Sequence, residues 1–190
     1  RPPRSTLFPY TTLFRSAGFD RDAVLSALLR MLEGRRVLLS PGWSGAPALA
    51  LPGNVHVVGA VPHEALFPLT SLVIHHGGSG TTHSACRAGV PSMVMPFAAD
   101  QFFWADRLHR LGVAPPALSP RRLDSQRLSA ALAVAEHPDV RARATALGRR
   151  MATEDGVAIG VAAVGQLLGQ PATNGGAMGP IASARSRSDP

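Results

Sequence analysis

Short apolar runs alternate with helical patterns along most of the chain. Four short runs, at 37–39, 55–58, 72–74 and 93–95, are apolar apart from His56, which is typical of strands buried on both faces of a parallel sheet. Helical patterns separate them: one helix begins after Asp20 and ends at Gly34, and others are predicted at 63–67, 81–87, 100–111, 124–137, 138–153 and 155–168. This alternation predicts an α/β fold with a Rossmann-like, doubly wound parallel sheet, which binds ligands at the carboxyl ends of its strands.

The composition is that of one globular domain. The chain has 190 residues, of which 45% are hydrophobic and 16% are charged. No apolar run approaches the roughly 20 residues that a membrane-spanning helix needs, so we expect no membrane span. The single cysteine, Cys86, excludes an internal disulfide framework and a cysteine-rich zinc site. These features predict a protein of a reducing compartment, the cytoplasm.

The net charge of +7 raises the alternative of an arginine-rich nucleic-acid-binding domain. All 19 basic residues are arginines, a usage that GC-rich coding explains better than selection for a phosphate-binding surface. Residues 17–170 contain 14 arginines against 11 acidic residues, which leaves a net charge of only +3 in that range. We therefore expect no nucleic-acid partner.

The two ends of the chain differ from the rest. Residues 6–16, TLFPYTTLFRS, resemble the translation of a DNA-sequencing adapter, so we interpret 1–16 as an artefact that replaces the true upstream sequence. The first strand of the domain is then expected to be missing. Residues 171–190 are rich in Pro, Gly, Ala and Ser without periodicity, which predicts a disordered tail. The range 17–170 is the predicted domain.

A glycine-rich loop is the most informative stretch of the sequence. The segment IHHGGSGTT at 74–82 lies between an apolar strand and the start of a helix. Free backbone N–H groups and the helix dipole favour an anion there, and glycines let the backbone approach it closely. Ser79, Thr81 and Thr82 add hydroxyl donors, and His76 adds an N–H group or a positive charge. This pattern predicts a phosphate or diphosphate site.

Other phosphate, hydrolase and metal signatures do not fit. A Walker A loop needs a lysine, which the chain lacks, and a dinucleotide fingerprint needs a glycine where His83 stands. A nucleophile elbow needs a glycine where Thr81 stands. Asp20 and Asp22 are spaced like a D-x-D metal motif but open a helix, where capping accounts for them. We therefore predict no metal site.

Four motifs in fixed order are far more specific than the glycine loop alone. They are Pro62-His63 with Leu66-Phe67, the HHGGSGT of 75–81, the RAGVP of 87–91, and Pro96-Phe97 with Asp100-Gln101. Together they resemble the donor-binding signature of family 1 glycosyltransferases, in the sterol and natural-product glucosyltransferase-like branch. The resemblance covers about 25–168 and implies the C-terminal half of a GT-B fold. The acceptor domain, with the family's catalytic histidine and its aspartate partner, is then missing from this chain.

The resemblance also implies roles for single residues. His76 contacts the β-phosphate and stabilises charge on the departing nucleoside diphosphate. The diphosphate is held by backbone N–H groups and the Thr81 hydroxyl along the loop, at Gly77, Gly78, Ser79, Gly80 and Thr81. Asp100 and Gln101 bind hydroxyl groups of the transferred sugar, and Trp43 and Val61 are weaker candidates for the base and ribose region. No catalytic base is expected in this chain.

On this resemblance the whole protein is a hexosyltransferase that moves a sugar from a UDP- or dTDP-sugar to a hydroxyl of a lipid-like or natural-product acceptor. We expect an inverting reaction without a metal or another cofactor, because fixed donors stabilise the leaving diphosphate. This chain alone is expected to bind the donor without turnover. Two further alternatives stay open: a stand-alone nucleotide-sugar-binding module without catalysis, and a GT-B enzyme that uses a UDP-N-acetylhexosamine.

Overall fold

A computed structural model describes residues 5–9, 20–40 and 50–168 of the chain. The chain divides into two compact units, 1–153 and 154–190, and this boundary falls inside the range 17–170 predicted as one domain. Trp43 and the predicted tail at 171–190 lie outside the described residues.

In the described part of the first unit, five parallel strands form one sheet. They are β1 (Ser5–Pro9), β2 (Val37–Ser40), β3 (Val55–Val57), β4 (Thr70–His75) and β5 (Ser92–Val94). Their order across the sheet is β3-β2-β1-β4-β5. This is the order of a Rossmann-like, doubly wound sheet, so the predicted fold class is confirmed.

The central strand of the sheet lies in the segment whose sequence resembles an adapter. The backbone of β1 pairs with β2, where Thr6 lies opposite Val37, and with β4, where Leu7 lies opposite Val73. Ser5–Pro9 therefore fills the place of the first strand, while the absence of the family's own first strand stays a prediction. Strand pairing joins backbone N–H and C=O groups, so an unrelated short segment can complete a sheet. The adapter origin of the segment stays a prediction.

Helices connect the strands. The described helices of the first unit are α1 (Arg21–Met31), α2 (His63–Leu66), α3 (Ser79–Arg87), α4 (Gln101–Arg110), α5 (Ser125–Ala135) and α6 (Pro138–Ala152). The carboxylate of Asp20 caps α1 by accepting from the Ala23 N–H at 3.0 Å, and Asp124 caps α5 by accepting from the Arg127 N–H at 2.8 Å. The helices predicted from apolar spacing are confirmed, and α3 begins two residues earlier than predicted.

Apolar layers cover both faces of the sheet, because side chains alternate along each strand. Leu72 and Ile74 of β4 pack in one cluster with side chains of α1 and α5. Val73, between them, packs on the opposite face with side chains of α2 and α3. Val94 of β5 lies in a third cluster with side chains of α3, α4 and α6. The sheet is therefore buried on both sides, as its short apolar runs predict.

Helix α6 approaches the end of α3 at backbone contact distance. A Cβ placed on Gly148 of α6 would lie 2.7 Å from the Cα of Gly89 and 3.0 Å from the carbonyl oxygen of Cys86. Arg143 of the same helix donates from Nε to the Gly112 carbonyl oxygen at 2.8 Å. Cys86 is buried here, which raises the pKa of its thiol to about 11. Close approach through a glycine thus fixes α6 on α3.

We expect Gly148→Ala to lower the free energy of unfolding by about 1 to 3 kcal/mol, because the new methyl group overpacks a contact between two backbones. Urea unfolding followed by circular dichroism measures this change. The matched control is Gly80→Ala in α3, where a Cβ meets no atom within 4 Å. Alanine is the better helix former by about 1 kcal/mol, so the control variant should be as stable as the parent or more so. A Gly148→Ala variant as stable as this control would contradict the close packing of α6 on α3.

The described part of the second unit contains α7 (Gly156–Leu167). The carboxylate of Asp155 caps it by accepting from the Ala158 N–H at 2.9 Å. Its apolar side chains are exposed, Val157 and Leu167 most of all. Within 5–9, 20–40 and 50–168, no helix combines the length and the apolar character needed to cross a membrane.

Candidate functional site

The loop that follows β4 lies at the switch point of the sheet. The chain runs outward from β1 through β2 to β3 and then returns to β4 on the other side of β1. The order of the strands therefore reverses between β1 and β4, and folds of this kind bind ligands at the carboxyl ends of their strands at such a point. Residues 76–78 directly follow β4, so the predicted phosphate loop lies at the edge of the sheet where ligands of this fold bind.

The N-terminus of α3 adds backbone donors at this place. Gly78 is the N-cap residue, and the N–H group of Thr82 closes the first helical turn on the Gly78 carbonyl oxygen at 2.9 Å. The N–H groups of Ser79, Gly80 and Thr81 precede that hydrogen bond and have no acceptor within the helix. Ser79 and Gly80 are exposed. An anion here would meet several N–H groups and the positive end of the helix dipole.

His76 lies against the same helix start. Its side chain is buried, at 6% exposed, and a Cβ placed on Gly78 would lie only 2.5 Å from its Nε2. Burial lowers the pKa of His76, and the nearby Asp100 carboxylate raises it in part. Without a ligand the imidazole therefore favours its neutral form, which has one N–H group to donate to a phosphate.

Gly77 packs against the end of β5 and the start of α4. Its φ angle is +94°, in the region that side chains rarely adopt. A Cβ there would lie 2.9 Å from Cγ1 of Val94 and 3.0 Å from the carbonyl oxygen of Gln101. The glycine is therefore required both by the backbone conformation and by the space around it.

The start of α4 lies next to the loop, with Asp100 near His76 and the backbone of Gln101 near Gly77. The Asp100 carboxylate is exposed and accepts from the indole Nε1 of Trp104 at 2.9 Å. Gln101 is buried, and its Oε1 accepts from the N–H groups of Phe97 at 2.9 Å and Ala98 at 3.2 Å. The side-chain oxygen of Gln101 thus shapes the loop before α4, and its amide NH₂ group is the part with donors for a sugar hydroxyl.

Three features of the site have no counterpart in the predictions. Ala99 has a φ of +50°, a left-handed conformation that a non-glycine residue seldom adopts. Trp104 holds the Asp100 carboxylate, and the i, i+4 spacing of the two residues was the available signal. His75 is buried and accepts the Gly77 N–H on its Nδ1 at 3.1 Å, a contact within a turn that no spacing rule indicates.

The structure describes one of the two predicted candidates for the base and ribose region, Val61. Val61 follows β3, which β2 and β1 separate from β4 in the sheet, and its side chain is 42% exposed. Trp43 falls outside the described residues. Among the residues that the structure describes, no group of three or more His, Cys, Asp and Glu side chains could hold a metal ion.

Sequence comparison identifies relatives of this chain. A family model described as the C-terminal domain of erythromycin biosynthesis protein CIII-like proteins matches residues 29–162. A sterol 3-beta-glucosyltransferase of Arabidopsis thaliana is 39% identical over 146 residues, which are 75% of this chain and 24% of the relative. The vancomycin aglycone glucosyltransferase of Amycolatopsis orientalis is 44% identical over 151 residues, which are 77% of this chain and 36% of the relative. The chain thus spans about a quarter to a third of the length of these relatives.

Solved structures show the same fold. The glycosyltransferase of kitacinnamycin superposes with a TM-score of 0.74 at 23% identity, over 90% of this chain and 45% of that chain. A spinosyn rhamnosyltransferase complexed with thymidine diphosphate superposes with a TM-score of 0.66 at 26% identity, over 78% of this chain and 41% of that chain. The family match covers most of the chain, and the composite motif and the switch-point loop agree with it. The chain therefore belongs to the erythromycin biosynthesis protein CIII-like C-terminal domains of the family 1 glycosyltransferases.

Proposed function

We propose that this chain is the donor-binding part of an enzyme that transfers a sugar from a UDP- or dTDP-sugar to a hydroxyl group of a lipid-like or natural-product acceptor. The observation that carries the proposal is the position of His76 and the α3 N-terminus together at the switch point of the sheet. Two relatives, a sterol glucosyltransferase and a vancomycin aglycone glucosyltransferase, support this class of acceptor. The thymidine diphosphate bound to a structural neighbour supports the class of donor.

The chemistry of transfer matches the groups that meet at the loop. The bond between the anomeric carbon and the diphosphate oxygen breaks, the acceptor oxygen bonds to that carbon, and the acceptor hydroxyl loses its proton to a base. Negative charge develops on the diphosphate in the transition state. The N–H groups of residues 79–81 and the His76 imidazole can stabilise that charge by hydrogen bonding. Such fixed donors need no solvent reorganisation, which supports a reaction without a metal or another cofactor. We propose that the transfer inverts the anomeric centre and that the base belongs to a domain outside this chain.

Titration of the chain with UDP and with dTDP tests donor binding. We expect saturable 1:1 binding in calorimetry, and shifts of the amide NMR signals of residues 76–81. Uridine and thymidine, which lack the phosphates, should bind at least tenfold more weakly, since charge-assisted hydrogen bonds to phosphate are lost. Shifts confined to residues away from this loop, or equal affinity for nucleoside and nucleoside diphosphate, would refute the site.

Two further titrations test whether donor binding needs a metal ion and whether the chain binds nucleic acid. Affinity for the better of the two nucleotides should be equal in EDTA and in Mg²⁺, because protein donors hold the diphosphate. A strict requirement for Mg²⁺ would overturn metal independence. Duplex DNA serves as the probe for nucleic-acid binding, and we expect no saturable affinity at 0.15 M salt, given the low net charge of residues 17–170.

A further inference from the structure

His75, the residue before the candidate phosphate ligand, makes a contact that bears on the shape of the loop. It is 1% exposed, and its Nδ1 accepts a hydrogen bond from the N–H group of Gly77 at 3.1 Å. Alternation along β4 places it on the same face of the sheet as Val73, the face that α2 and α3 cover. The bond therefore joins a rigid, buried strand end to the first glycine of the loop.

This contact selects the tautomer of His75, and burial keeps its ring neutral. Because Nδ1 accepts, the ring proton must lie on Nε2, which is buried and has no hydrogen-bond partner within the described ranges. Burial lowers the pKa of His75 to about 3, with smaller contributions from the neighbouring imidazoles of His76 and His63 when they are protonated. The ring thus stays neutral and keeps a single acceptor towards Gly77 over the whole range near neutral pH.

The orientation of the Gly77 N–H group controls the next residues of the loop. Gly77 has a φ of +94° and no room for a side chain, so a small rotation of its peptide groups would redirect Gly78 and the first N–H groups of α3. It would also move Gly78 away from the His76 ring, which lies against it. An acceptor at the position of His75 Nδ1 selects one orientation of this turn.

We propose that His75 is a positioning residue, whose neutral Nε2-protonated imidazole holds the Gly77 N–H and so sets the loop for binding of a nucleoside diphosphate. This inference rests on the proposed function of the loop as a diphosphate site. It differs from the role given to His76, because His75 is argued to act through the backbone and not on the ligand. The two neighbouring histidines thus have different roles: His75 positions the loop, and His76 contacts the ligand.

Two variants of the full chain separate positioning from simple packing. His75→Leu fills the buried position with an apolar side chain and removes the acceptor, whereas His75→Asn retains an acceptor oxygen near the place of Nδ1. We expect His75→Leu to weaken UDP or dTDP binding roughly five- to tenfold, the size expected for the loss of one hydrogen bond. His75→Asn should stay within about twofold of the parent. The affinity is measured on the folded fraction by calorimetry.

Two spectroscopic readouts on the parent do not depend on nucleotide binding. Long-range ¹H–¹⁵N spectra should show the Nε2-protonated tautomer of His75 at pH 7, and the Gly77 amide should exchange slowly with solvent. In His75→Leu that amide should exchange faster, and in His75→Asn it should again be protected. An Nδ1-protonated ring, or His75→Leu with parental affinity and parental Gly77 exchange, would overturn the inference. If the parent binds neither nucleotide, the proposed function fails, while the tautomer and the exchange rates still decide whether His75 holds the loop.

Discussion

The His76→Ala variant is expected to lose most of its affinity for UDP and dTDP while it stays folded. His76 is the buried side chain whose Nε2 lies against Gly78 at the start of α3, so the substitution removes a donor from the place where the diphosphate would bind. Hydrogen bonds to charged groups contribute about 1.5 to 3 kcal/mol, which corresponds to a rise in Kd of roughly tenfold to more than 100-fold. Calorimetric titration of parent and variant at pH 7.5 measures this rise.

His83, a histidine on the helix α3 that follows the loop, provides the matched control for this variant. Its side chain is exposed, and His83→Ala should leave the Kd within about twofold of the parent value. The free energy of unfolding of His76→Ala should change by about 1 kcal/mol or less, because the lost contacts are partly offset by removing a desolvated imidazole. Equal affinity of His76→Ala and the parent would remove His76 from the diphosphate site. In a protein completed with its acceptor domain, the same substitution should lower transfer far more than it alters folding.

The strands could be predicted from the sequence because a strand buried on both faces is a short apolar run, and the helices because their apolar residues recur at helical spacing. The residues of β4 and β5 are apolar in their central runs, and aspartates cap α1 and α5 where helical spacing begins. The position of the glycine loop between a strand and a helix could also be predicted from the sequence, while its role as an anion site stays a prediction. The structure then brings His76, the α3 N-terminus and Asp100 to one edge of the sheet.

Other features depend on contacts that single-sequence patterns do not contain. The place of β1 could not be predicted once its segment had been set aside on grounds of origin, because a strand position is filled by backbone pairing. From the sequence, Gly148 is only a poor helix former inside a helix. The close approach of the Gly89 backbone explains why a glycine is needed there. Gln101 carries a predicted ligand contact, yet its Oε1 binds the backbone of residues 97–98. Side-chain direction at such positions follows from packing rather than from sequence.

Gly77→Ala is expected to be the most damaging single-methyl change in the loop. A φ of +94° costs an alanine about 1 to 3 kcal/mol, and its Cβ would lie 2.9 Å from Cγ1 of Val94. The second near atom, the Gln101 carbonyl oxygen at 3.0 Å, belongs to the backbone of α4 and cannot rotate away. We therefore expect the free energy of unfolding to fall by about 2 to 4 kcal/mol and the affinity for UDP or dTDP to fall at least tenfold.

A loop glycine outside the site separates this effect from a general cost of alanine in loops. Gly53 precedes β3, its φ lies outside the left-handed region, and a Cβ there meets no atom within 4 Å. Gly53→Ala should leave nucleotide affinity unchanged and stability unchanged or slightly higher, since alanine restricts the unfolded chain. Urea unfolding and calorimetric titration of both variants give the comparison. If Gly77→Ala matched Gly53→Ala in stability and affinity, the tight turn between β4 and α3 could not be the feature that shapes the site. A loss at Gly77 alone would show that backbone geometry, in addition to the histidine side chain, makes the anion site.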